Sequence, residues 1–145
     1  MISICLLAGC NFKTMEIHNL GLTDSIILSK DRPPRTHVTE YYVVTATPFS
    51  TESLISQLLR YSKSCPVNLG TSEYWVERNF YRETSETPRD FGKTLNAESE
   101  IQDHNHDFLA NILHSKNDHE DCWYVYVTDQ EIPSNLKASC VEIHP

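Results

Sequence analysis

The chain has 145 residues, 39% hydrophobic and 22% charged, an ordinary composition for one globular domain with a real core. Twelve Lys and Arg against twenty Asp and Glu leave a formal charge of −8, which argues against a phosphate-binding surface and so against nucleic acid as a partner. With only four glycines and no glycine-rich phosphate loop, no nucleotide cofactor is expected, and no apolar run approaches the roughly 20 residues that span a bilayer.

The first nine residues carry no side-chain charge and are followed abruptly by Asn11, Lys13 and Thr14. At their end, Leu7-Ala8-Gly9-Cys10 resembles a bacterial lipobox, the leucine–small–small–cysteine sequence at which lipoprotein signal peptides are cut. The resemblance implies a signal segment over residues 1–9 and a Cys10 that carries acyl chains on its sulfur and its amine. Several chains at about 0.8 kcal/mol per buried methylene make a stable anchor. The membrane is then a partner through Cys10, and the protein faces the periplasm. Asn11 is not the aspartate associated with inner-membrane retention, so the outer membrane is the secondary expectation. The competing reading makes residues 2–7 a buried first strand. Under the lipobox reading Cys5 leaves with the signal, and Cys65, Cys122 and Cys140 remain. They allow three pairings, each with one free thiol, in an oxidising envelope. No CxxC spacing supports a redox or zinc site.

Residues 10–24 are mixed and polar and read as a tether, leaving residues 25–145 as a single domain. Residues 25–29 (SIILS) predict a short strand, broken by Pro33 and Pro34. Residues 37–47 (HVTEYYVVTAT) are dense in β-branched and aromatic side chains and predict the best strand. After Pro48, Ser50 or Thr51 caps a helix with Glu52 in its first turn and an apolar face of Leu54, Ile55, Leu58 and Leu59. Val38, Tyr42 and Val44 are expected to share the strand face under that helix.

Residues 72–83 predict another strand, with Tyr74, Val76, Arg78, Phe80 and Arg82 on one side and Trp75, Glu77, Asn79 and Tyr81 on the other. Residues 84–99 read as a loop. Residues 108–114 suit a helix, through Phe108, Leu109, Ile112 and Leu113, and equally a strand paired with the next apolar run. Residues 122–128 predict a strand, and residues 138–143 a short last one. The sum is an α+β fold: one mostly antiparallel sheet of four or five strands, with one or two helices packed on one face.

Three constellations can carry chemistry. His104 and His106, in the run Asp103-His104-Asn105-His106-Asp107 near His114 and His119, suit zinc or copper by ligand type, although the spacing matches no known His-pair motif. His37-Val38-Thr39 resembles one half of the paired HxT signature of 2H phosphoesterases, in which one histidine acts as base and the other as acid. Residues 126–128 (YVT) stand where the second half belongs but offer tyrosine instead of histidine. Arg82, Glu83, Arg89 and Asp90 form a charged cluster where a strand leaves the sheet, expected to anchor a loop. Taken whole, the layout is similar to the small lipoproteins of unknown function of Gram-negative envelopes. That resemblance implies a lipid-anchored, non-enzymatic domain with a binding or structural role toward another envelope protein, and no catalytic residue carries over from it.

Overall fold

The computed structural model describes residues 14–28, 34–65, 69, 71–128 and 138–142. The lipobox lies outside them. Among the described residues, six strands form one sheet in chain order. β1 spans Glu16–Leu28, β2 Arg35–Thr45, β3 Glu73–Arg82, β4 Phe108–Lys116, β5 Glu120–Val127 and β6 Ala138–Glu142. The α+β expectation holds, with one strand more than the four or five expected. All neighbours pair antiparallel except β2 and β3, which run parallel. A parallel pair needs a crossover, and helix α1 (Thr51–Ser64) supplies it.

α1 forms where its capping residues demand. Ser50 stays extended, and its Oγ accepts the Ser53 backbone N–H at 3.1 Å. Glu52 sits in the first turn and Lys63 in the last, both favoured by the helix dipole. The helix buries Leu54, Ile55 and Leu58 against Tyr42 and Val44 of β2, Phe80 of β3, Ile112 of β4 and Val125 of β5. Val38 lies on the same strand face and is also buried. Fully burying a leucine contributes roughly 1.5–3 kcal/mol. An ion pair lies within this core: Arg78, 1% exposed, donates from Nε to Glu40 at 2.8 Å. Tyr42 donates its hydroxyl to the same carboxylate oxygen, also at 2.8 Å.

The opposite face has its own core, and here the one-faced arrangement is corrected. Leu20 and Leu22 of β1, Tyr41 and Val43 of β2 and Tyr81 of β3 pack against Phe91, Ala97 and Ile101. Phe91 and Ala97 come from residues 84–99, expected to be a loop, and Ile101 just follows, so one segment runs from residue 84 to 103. It contains a helical turn over Phe91–Lys93, the short helix α2 over Ala97–Glu100 and a further turn over Ile101–Asp103. Its apolar residues are too sparse for a visible helical period, yet each lands on the sheet. Gly92 makes the fit possible, because a Cβ there would collide with the Leu20 carbonyl.

The tether is also corrected from residue 16 onward. Glu16–Leu28 is one strand, interrupted by a register shift between Asn19 and Thr23. Gly21 sits there at a φ of 72°, in the left-handed region glycine enters cheaply, and its N–H bonds Asn19 Oδ1 at 2.7 Å. The bulge breaks the alternation that would have marked a strand. The segment 108–114, open between helix and strand, is strand β4.

Candidate functional site

The segment over residues 91–103 covers only one end of its sheet face. At the other end the register lines up three rows of side chains that this segment does not cover. One row runs Ile26, His37, Trp75, Ser115, Cys122 and Cys140; the next runs Asp24, Thr39, Glu77, Leu113, Tyr124 and Ala138. The third contains Asn79, Asn111 and Tyr126. Trp75 is 42% exposed, Tyr124 40% and Tyr126 61%. Between these rings, Asn111 Nδ2 donates to Glu77 Oε1 at 2.8 Å and to Asn79 Oδ1 at 3.0 Å. Paired strands on both sides fix the spacing of these groups, and the three rings stay open to solvent.

His37 and Thr39 stand on this face. His37 Nε2 is 3.5 Å from Glu77 Oε2, and its ring meets Trp75 edge-on with centroids 6.0 Å apart. Its cross-strand partners are Ile26 and Trp75, not a second histidine. Tyr126 belongs to β5, with β3 and β4 between it and β2. The two halves of an HxT pair are therefore not brought together.

His104 and His106 do come together, with rings stacked at 6.0 Å, but each nitrogen contact serves the segment itself. Thr84 and Thr87 both donate to Asp107 Oδ2, at 2.7 and 2.8 Å. The Thr87 proton is thus committed, so His104 Nδ1–H donates to Thr87 Oγ1 at 2.7 Å. His106 Nε2 reaches Glu86 at 2.9 Å. Burial alone would raise the Asp107 carboxyl, but the two threonine hydroxyls and the neighbouring His106 and His104 hold it below its usual range. Among the described residues, no group of three or more His, Cys, Asp or Glu is arranged to hold a metal ion.

His114, near those histidines in sequence, lies on the α1 side of the sheet. It is buried, its Nε2–H donates to Asp121 at 2.8 Å, and its Nδ1 has no partner. Burial pushes its pKa below the ordinary value, outweighing Asp121. Of the charged cluster at the end of β3, Arg89 closes on Glu83 at 2.8 and 3.1 Å, the expected loop anchor. Arg82 instead borders a cleft of about 160 Å³ with Thr47, Thr51 and Thr128. Ordinary ligand pockets start at about 300 Å³.

Of the three cysteine pairings, the structure has Cys122–Cys140, opposite each other on β5 and β6, with Cys65 free. What sequence reasoning missed is the open face itself. The side-chain parity of β3 was legible, but not which end of that face would be left bare. The chain matches no family model, no curated protein and no solved structure, so a functional reading rests on its own residues.

Proposed function

We propose that the protein is a lipid-anchored component of the bacterial envelope, held at Cys10, whose domain binds another envelope component through the open sheet face rather than catalysing a reaction. The observation that carries the binding role is the uncovered set of Trp75 on β3 and Tyr124 and Tyr126 on β5, on one sheet face with β4 between them. Aromatic side chains are the ones enriched where proteins meet partners, and clustered exposed rings mark such sites. Two features support the location. Leu7-Ala8-Gly9-Cys10 has the lipobox pattern, and the Cys122–Cys140 disulfide suits an oxidising compartment.

The test is made in a Gram-negative host expressing the gene from its natural start. Protein purified from membranes should carry acyl chains on Cys10 by mass spectrometry and partition into detergent. Cys10→Ala should abolish the modification. Soluble, unmodified wild-type protein would overturn the anchor.

A further inference from the structure

We infer that the open face is built for a cationic partner, a Lys/Arg-rich extended segment of another protein; this deepens the binding role proposed above and rests on it. The first argument is charge. Asp24, Glu77, Glu120 and Glu142 fall on this face by register, and Asp24, Glu120 and Glu142 are exposed. Among the described residues, the one Lys or Arg that the strands place on this face is Arg35, whose guanidinium is already closed on Glu73. An anionic ligand therefore meets uncompensated like charge, and a cationic one meets complementary charge.

The second argument is the hydrogen-bond inventory. Asn111 donates both amide hydrogens, to Glu77 and Asn79, so what it has left to offer is its carbonyl, an acceptor. The Glu77 carboxylate adds acceptors and no donor. Arginine carries five donors and no acceptor, and lysine three donors and no acceptor, so either can donate to the Glu77 carboxylate and the Asn111 carbonyl. The third argument is the rings. Trp75, two residues before Glu77 on β3, and Tyr124 and Tyr126, two strands away, are exposed on the same face, and guanidinium and ammonium groups are attracted to aromatic rings. A partner strand lying across the sheet would set alternate side chains over these rings.

The experiment is calorimetry on the full-length protein in neutral detergent. The probes are a synthetic peptide of alternating arginine and serine, its glutamate counterpart, and a neutral chito-oligosaccharide. The arginine peptide should bind, weaken with added salt, and lose about tenfold in affinity in Trp75→Ala and in Tyr126→Ala. Glu77→Gln should weaken it too, while far-UV circular dichroism shows all three variants folded. Equal binding to wild type and to the ring variants would overturn the site, since the net charge alone would then hold the peptide. Oligosaccharide binding that needs Trp75, with no arginine-peptide binding, would overturn the cationic partner while leaving the binding role intact. Loss of Cys10 acylation is read separately and bears only on the anchor.

Discussion

The indole of Trp123 lies flat on the imidazole of His114, with centroids 3.9 Å apart and planes 9° apart. Tyr74 meets the same imidazole edge-on at 5.2 Å, and Lys63 of α1 stands 5.7 Å above the indole. The imidazole is thus enclosed by rings, with Asp121 on one nitrogen and no partner on the other.

Protonation would create a buried Nδ1–H with no acceptor, so the fold resists it. The folded pKa is below the ordinary 6.5, so the unfolded chain takes up the proton first. Stability from this group is fully present above about pH 6.5 and is lost as the pH falls toward the lowered folded value. Urea midpoints measured between pH 7.5 and about pH 5 should therefore fall for the wild type. They should fall less for His114→Phe, which keeps a ring under Trp123 but cannot titrate. Parallel pH profiles would show that His114 is not the group responsible.

Leu58, on the inner face of α1, is fully buried. Leu58→Ala should cost about 2–5 kcal/mol through the cavity it leaves. His104→Ala removes one hydrogen bond, yet Thr87 keeps its bond to Asp107. That loss should be only about 1 kcal/mol. Thermal melts of the two variants rank them directly, and the reverse order would misplace the core.

Thr87 is fully buried and joins His104 to Asp107. Thr87→Val keeps the shape but removes the hydroxyl, leaving Asp107 with Thr84 as its remaining hydroxyl donor. A cost of about 1–3 kcal/mol is expected. Residues 84–107 should then be cut faster in limited proteolysis, while α1 stays protected. Unchanged cleavage would mean that the segment is held by Phe91 and Ile101 alone.

Every described residue of β6 is exposed, so this strand adds little to either core. Its disulfide closes a separation of 18 residues, for which chain entropy gives an upper figure of about 3 kcal/mol. Reduction should release β6 locally. Amide exchange at residues 138–142 should accelerate, with β2 and β3 amides unchanged. Global unfolding on reduction would show that the staple supports the whole sheet.

The parts legible in the sequence are those whose signal is local. Ser50, Glu52 and the leucines announce α1, and the β-branched run announces β2, because cap and periodicity act within a few residues. The second half of β1 was legible in the apolar run from Ser25, but its first half escaped because Gly21 and Asn19 make a bulge that reads as a polar link. The segment over residues 91–103 escaped because Phe91, Ala97 and Ile101 gain their meaning only from Leu20, Tyr41 and Tyr81, far off in the chain. The open face was half legible: alternation put Trp75, Glu77 and Tyr81 on one side of β3, but only the packing buries Tyr81 and leaves Trp75 bare. His114 parts from His104 in space because closeness in sequence says nothing about which side of a strand a residue occupies.

The strict chain order of the sheet bears on how the protein is made. Each strand hydrogen-bonds to the one before it, with α1 bridging the parallel step. A chain that emerges N-terminus first therefore never waits for a distant partner: β2 docks on a strand already made, α1 and β3 on β2, and so on to β6. Such sequential zipping keeps the entropic cost of each closure small and shortens the time any strand edge stands open. Within the sheet, the staple that requires an outside oxidant, Cys122–Cys140, joins the last two strands to emerge.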